Sequence, residues 1–401
     1  MKKNRQSIFT AFLIITLIAA SLCITSCKKQ EENIVKIGLL HSLSGTMEIS
    51  EKAVLNAELL AIKEINEAGG VLGHQIVAIE ENGNSDARTF AEKARKLIEE
   101  DKVVSLFGCW TSDSRKAVKN VVEEHYNLLW YPVQYEGMEA SPNIVYVGAC
   151  PNQQVVPAIE YCAENFGKKM YLIGSDYVFP QIAFKIIKAQ LKNLDGKCVA
   201  ERYVPMGETD FSEIIKDITE KKPDVIINAL NGSSNIEFFS QFKHSGLIST
   251  KYPIISFSVS ENEISQIGAA NISGHYVAWN YFESTQTNKN NKFVNDYKKE
   301  YGDNNSIGDP VEAGYLAVYL WAAACEKAGS FDTEALRIAI KNLSYIGPEG
   351  YVTIDGSNQH LYKTSRIGQV SIEGSIHEVW SSSDLVRPDP YLSTYDWARG
   401  L

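Results

Sequence analysis

Short apolar runs alternate with amphipathic stretches along this chain, and the alternation runs through twice. Short apolar runs between polar loops read as buried strands, and stretches with apolar residues three and four apart read as helices packed on them. In the first pass, residues 35–40 make a strand. Residues 50–68 make a helix with Val54, Leu55, Leu59, Ile62 and Ile65 on one stripe, ended by Gly69 and Gly70. Residues 75–80 are the second strand, and Asp86 caps a helix that runs to Ile98. Residues 103–107 and 128–130 are two further strands, with an amphipathic segment 112–126 between them. That order implies right-handed crossovers and a parallel sheet. The second pass begins near residue 150, with strands at 170–173, 199–204, 225–229, 254–257 and 276–279. Residues 310–328 are the longest internal apolar helix, and Glu312 with its Gly, Ala and Tyr neighbours marks it as a packed core helix. The tail is strand-like at 351–354, 366–372 and 377–380. The fold class expected is α/β, in two units of similar size, each a mostly parallel sheet flanked by helices.

Residues 1–26 stand outside this pattern. Lys2, Lys3 and Arg5 precede an apolar stretch at 8–22, the order of a secretory signal and too short for a membrane span. The stretch ends in Ile24-Thr25-Ser26-Cys27, which resembles the bacterial lipobox. Cys27 is therefore expected to carry lipid and become the mature N-terminus, with 27–33 as a polar tether. Ordinary cleavage beside a stray cysteine is the alternative. The address implied is an exported lipoprotein facing the periplasm or the cell exterior. Loss of 1–26 removes three positive charges and takes the net charge from −10 to −13. An acidic chain without basic clusters argues against nucleic acid as a partner, and against a polybasic lipid-binding surface. Cys109, Cys150, Cys162, Cys198 and Cys325 are odd in number and show neither zinc nor C-x-x-C spacing. Sequence does not pair them, and most fit buried small apolar positions.

Loops that leave the carboxyl ends of parallel strands border the crevice where open α/β sheets bind ligands. Two such loops follow one another: Gly108-Cys109-Trp110-Thr111-Ser112, then Tyr131-Pro132-Val133-Gln134-Tyr135-Glu136-Gly137. Thr111 and Ser112 stand at a helix start, so their hydroxyls and the free N–H groups behind them can serve a polar ligand. The neighbouring Trp and Tyr offer a flat wall. Thr111 as a plain N-cap and the aromatics as core is the competing reading. Further loops of the same kind hold Ser42 and Ser44, Asp176 and Tyr177, Asn231, and Glu261; Trp279 ends a strand before another.

These motifs carry a resemblance. An exported lipoprotein with two α/β units and a C-terminal segment is similar to the type I periplasmic binding proteins of the leucine-binding-like branch. Ser141-Pro142-Asn143-Ile144, Pro151-Asn152-Gln153-Gln154, Gly174-Ser175-Asp176-Tyr177-Val178-Phe179-Pro180 and Arg387-Pro388-Asp389-Pro390-Tyr391 join the two loops above. Together they look like the urea- and short-amide-binding subgroup, nearest the lipoproteins of urea ABC transporters. The resemblance covers residue 34 to the end. It implies a two-lobed fold with three crossovers: one lobe from 34–149 plus 283–347, the other from 150–282 plus 348–401. It further implies an extracytoplasmic component of an ABC importer that closes on urea or a short amide, delivers it to permease subunits, and needs no cofactor or metal. Closure is then a hinge motion selected by differential affinity.

Trp110, Ser112, Tyr131, Val133, Gln134 and Tyr177 match pocket positions of the subgroup. The amide sensors carry Thr-Pro where this chain has Val133-Gln134, so acetamide preference is not carried over. Asn231, Glu261 and Trp279 are candidates by loop position alone; a turn asparagine and a helix-capping glutamate are equally good readings. Urea is small, flat and neutral, so its affinity must come from a complete hydrogen-bond set in a dry pocket. Ser112, Thr111 and the N–H groups near Ser42 and Ser44 are candidate donors to its carbonyl. Asp176, Glu261 and the carbonyls near Val133 and Gln134 are candidate acceptors for its amino groups. Trp110, Tyr131, Tyr177 and Trp279 are candidate walls. An amino-acid ligand draws on the same residue types. Two rivals differ in kind: an enzyme using His41, Ser44 and Asp176, disfavoured because no G-x-S-x-G or H-E-x-x-H motif occurs, and a receptor-type sensor domain.

Overall fold

The computed structural model describes residues 33–401. The signal segment, Cys27 and the tether up to residue 32 lie outside the described residues. Among the described residues, no helix is long and apolar enough to cross a membrane.

The first sheet holds β1 (Ile34–His41), β2 (Gln75–Asn82), β3 (Leu106–Gly108), β4 (Leu129–Tyr131) and β5 (Ile144–Tyr146) in the order 2-1-3-4-5. β1, β3, β4 and β5 pair in parallel. β3, β4 and β5 have three residues each, and every one is buried, so they read as apolar runs without alternation. The second sheet holds β6 (Lys169–Ser175), β7 (Lys197–Val204), β8 (Val225–Ala229), β9 (Ile254–Ser256) and β10 (Tyr276–Trp279). Their order is 7-6-8-9-10, the strand order of the first sheet repeated. A small antiparallel sheet follows, of β11 (Ser344–Gly347), β12 (Gly350–Ile354) and β13 (Leu361–Tyr362). β14 (Arg366–Val370) and β15 (Ile376–Ser381) then join β10 as an antiparallel edge.

The helix Asp309–Ala328 packs across the helix Glu48–Glu67 in the first lobe. Pro310 stands in its first turn, and it stops at Gly329, whose φ of 63° is left-handed. At Gly314 the two helices approach so closely that a Cβ would sit 2.7 Å from the Val54 side chain.

The chain crosses between lobes at 147–153, 280–282 and 363–365, and one knot of hydrogen bonds ties all three. The Asn280 side chain donates to the Gln153 and Thr364 carbonyls, at 3.2 and 2.9 Å. Ser365 Oγ donates to the Gln153 carbonyl at 2.8 Å, and Lys363 Nζ to the Val147 carbonyl at 3.0 Å. The division expected from sequence gave 348–401 to the second lobe. Val352, Ile354 and Leu361 instead belong to the first-lobe core, and Tyr146 of β5 bridges to His360. The final crossing therefore lies after β13. Leu392 and Ala398 pack in the second-lobe core.

Candidate ligand-binding cleft

The loops leaving the carboxyl ends of the two parallel sheets meet across a closed cleft. In each sheet the strand order reverses at one point, between β1 and β3 and between β6 and β8, and ligands of open α/β sheets bind outside such points. Trp110, after β3, donates its indole N–H to the Asn231 side chain, after β8, at 3.3 Å. Gln134, after β4, donates to the Phe257 carbonyl and to Ser258 Oγ, after β9, at 2.8 and 3.1 Å. The Ser233 N–H reaches the Thr46 carbonyl at 3.3 Å. Tyr177, at the start of the helix Val178–Asn193, is buried at the edge of the second-lobe core, its ring 6.4 Å from that of Phe179. Trp110, Ser112, Tyr131, Val133, Gln134, Tyr177 and Asn231 are buried, whereas Thr46 and Ser233 are half-buried at the rim.

Each side chain has a local reason for its place. Tyr131 is held by its hydroxyl, which donates to the Trp110 carbonyl at 2.6 Å. The Val133–Gln134 backbone passes so close to Gly148 that a Cβ there would lie 2.1 Å from the Val133 carbonyl carbon. Gln134 Oε1 is buried with no partner among the described residues. A buried amide oxygen left so is costly unless something donates to it.

Behind Ser112 lies a network that sequence reading missed. Arg115 is fully buried on the helix Ser112–Glu124. Its guanidinium donates to Glu136 at 2.9 Å, to Glu139 at 3.0 Å and to Ser112 Oγ at 3.0 Å. Ser112 Oγ in turn donates to Glu136. Lys116 reaches Glu139 at 3.2 Å, so two cations face two carboxylates. The guanidinium also lies over the Tyr135 and Tyr131 rings, 4.5 and 5.2 Å from their centroids. Burial works against the charge on Glu139, but Arg115 and Lys116 outweigh it and hold the carboxyl below its usual range. The signal was present: Arg115, Val118 and Val122 share one helix stripe, and an arginine on an apolar stripe demands a buried counter-ion.

Other candidates lie elsewhere. Asp176 is exposed and accepts from Gln181 at 2.9 Å, because a glutamine one helical turn on is nearer than the cleft. Trp279 is a second-lobe core residue whose indole N–H donates to the Val259 carbonyl at 2.7 Å. Glu261 faces the crossover, accepting from the Glu283 N–H at 2.8 Å. Ser42 is turned inward, its N–H on Glu51 and its Oγ accepting from the Ser85 N–H. Ser44 Oγ is held between Asn82 and Asn84. Thr111 is the N-cap of its helix, accepting from the Ser114 N–H. His41, Ser44 and Asp176 do not form a relay: His41 pairs with Glu58 at 2.8 Å, and the other two have the partners just named. Among the described residues, no group of three or more His, Cys, Asp or Glu is arranged to hold a metal ion. The five cysteines at 109, 150, 162, 198 and 325 are free thiols.

Comparison with known proteins agrees with this architecture. A family profile described as a periplasmic binding protein domain matches residues 35–396. A Brucella melitensis protein named Leu/Ile/Val-binding protein homolog 6 is 20% identical over 89% of this chain and 93% of its own length. A local match of 30% identity, to a Geobacillus stearothermophilus protein named limonene hydroxylase, covers 32% of this chain and only 23% of that relative. Among solved structures, the chain is similar to an ABC-transporter solute-binding protein from Rhodopseudomonas palustris in complex with 3,4-dihydroxybenzoic acid. That match has a TM-score of 0.80 at 23% identity, over 89% of this chain and 99% of the other. It is also similar to a branched-chain amino acid transporter substrate-binding protein from Streptococcus pneumoniae in complex with isoleucine. There the TM-score is 0.77 at 20% identity, over 88% of this chain and 100% of the other. The family profile spans nearly all of the described residues, and the chain belongs to the periplasmic binding protein family.

Proposed function

We propose that this chain is the solute-binding component of an ABC importer and that it captures urea, or a short aliphatic amide, between its closing lobes. The observation that carries the reading is the balance of the cleft. Its walls are the rings of Trp110, Tyr131 and Tyr177, its open acceptor is the neutral Gln134 Oε1, and the buried charges behind it, Arg115 with Glu136 and Glu139, are paired with one another. An amino acid brings a carboxylate, which N–H and hydroxyl donors can hold, and an ammonium, which calls for a carboxylate not already paired. A neutral amide needs only donors and acceptors. Anchoring through lipidated Cys27 and delivery to permease subunits complete the proposal. Cys27→Ala is then expected to move the protein from the membrane fraction to the soluble one.

Titration calorimetry and thermal shift with urea, acetamide, formamide, thiourea and leucine test the ligand. Urea is expected to bind without ammonia release and to raise the melting temperature, as any ligand well above its dissociation constant must. The names of the relatives favour a second reading, capture of a branched-chain amino acid. Leucine binding without urea binding would establish that reading in place of the first.

A further inference from the structure

A serine hydroxyl has one proton to donate and two lone pairs to accept with. At Ser112 the proton is committed to Glu136, and one lone pair is filled by Arg115 at 3.0 Å. Rotating the hydroxyl away would leave a buried carboxylate oxygen without its donor and turn the proton toward a guanidinium that has none to accept it. Glu136 is itself fixed, since Arg115 holds its second oxygen at 2.9 Å. Ser112 follows two residues after Trp110, which reaches Asn231 across the cleft, and is bonded to Glu136 of the neighbouring cleft loop. What it can still offer is a single lone pair.

We propose that Arg115 and Glu136 make Ser112 an acceptor-only position in the cleft, so that a ligand N–H faces it and carboxylates are excluded. This rests on the amide reading above and reverses the role expected for Ser112 from sequence, donation to a ligand carbonyl. The carbonyl is then held by backbone N–H groups of the cleft loops. Arg115 and Glu136 are positioning residues in this scheme, acting on the ligand through Ser112. Discrimination falls on a chemical pair of nearly equal size, acetamide against acetate. Acetate places an oxygen lone pair where acetamide places an N–H, so an acceptor-only site rejects it.

The test is calorimetry at neutral pH and constant ionic strength with urea, acetamide, acetate and leucine, on the parent chain, Glu136→Gln and Ser112→Ala. Thermal melts report whether each variant folds. The parent is expected to prefer acetamide over acetate by about a hundredfold or more, the cost of leaving buried acceptors facing each other. In Glu136→Gln the new amide donates to Ser112, frees its proton toward the ligand and leaves Arg115 short of a counter-charge. The acetate-to-urea affinity ratio is then expected to rise about tenfold or more. Ser112→Ala, the smaller perturbation, is expected to weaken urea about tenfold and leave acetate unchanged. Parent binding of acetate as tight as acetamide would overturn the proposal. So would an acetate-to-urea ratio that stays within about twofold in whichever variant folds, roughly the scatter of neutral substitutions. Either result with urea still bound removes this proposal alone. Leucine binding in place of urea removes the amide reading and this proposal with it.

Discussion

Glu261 shows how a single position departs from what its loop suggests. It leads the helix Glu261–Ile267 with Ser260 and Glu263 forming the capping box beside it, yet its carboxyl turns toward the crossover and is buried. Burial, with Glu283 and Asp309 nearby, pushes that carboxyl up to about 8. A folded carboxyl with a raised pKa holds a proton that the unfolded chain releases, so its contribution to stability is present at low pH and lost as pH rises toward 8. Glu261→Gln keeps the acceptor for the Glu283 N–H and removes the titration. Its stability relative to the parent is expected to grow by about 1 kcal/mol per pH unit between about pH 5 and about pH 8. Guanidinium unfolding at several pH values checks this; urea is avoided as denaturant because it is the proposed ligand. His275 has the opposite sign. Burial lowers it to about 3, and its Nδ1 accepts from the Ile254 N–H at 3.1 Å. Stability is then lost as pH falls below about 6.5, where the unfolded histidine takes a proton. His275→Asn is expected to make that acid slope shallower by about 1 kcal/mol per pH unit in the same unfolding series. Neither behaviour was legible in the sequence, because neither depends on local pattern. Trp110, Gln134 and Asn231 were legible as loop residues at strand ends, and each makes a hydrogen bond across the cleft. Asp176 and Trp279 share that location in sequence but not the direction of the side chain.

At the scale of elements, long apolar runs such as β8 and the helix Asp309–Ala328 were readable because burial on all sides leaves no alternation to misread. The strands β11 to β13 were harder. Their allegiance to the first lobe is set by Val352, Ile354 and Leu361 and by the bridge from His360 to Tyr146, contacts more than two hundred residues apart in the last case. No local signal carries such a pairing. The crossovers hold a second buried charge cluster. Lys363 is fully buried, 2.6 Å from Glu349, while Asp309 accepts from the Asn280 and Tyr281 N–H groups at 2.9 Å. Lys363→Met would leave Glu349 without its cation beside Glu312 and Asp309. The expected cost is about 3–5 kcal/mol at neutral pH, the usual result of breaking a buried pair from one side. Adding Glu349→Gln should restore a large part of it. A double variant no more stable than the single one would mean that Lys363 contributes packing and not charge.

For the whole molecule, closure rests on few direct bonds. Trp110 to Asn231, Gln134 to Phe257 and Ser258, and Ser233 to Thr46 are the described cross-cleft hydrogen bonds among the candidate loops. Each is worth about 1 kcal/mol net. Asn231→Ala is therefore expected to weaken urea binding about three- to tenfold while leaving both lobe cores intact. Trp110 reports the effect: its emission should shift to the red in the variant without ligand, as the indole loses its partner and meets water. Small-angle scattering of the same variant should show a larger radius of gyration that contracts at saturating urea.

The burial of the cleft has a kinetic side. With Trp110 3% and Tyr177 8% exposed, the proposed ligand would have no open path out while the lobes are shut. Exit must wait for the cross-cleft bonds to break together, so the residence time of a bound molecule becomes a property of the protein's own breathing. Weak and tight ligands would then differ in how far they slow that opening, while the motion itself, a rotation about the three tied crossovers, is common to all of them. Release of the proposed ligand would then be timed by the breaking of the cross-cleft bonds of Trp110, Gln134 and Ser233, with Asn280, Lys363 and Ser365 tying the crossovers about which the lobes turn.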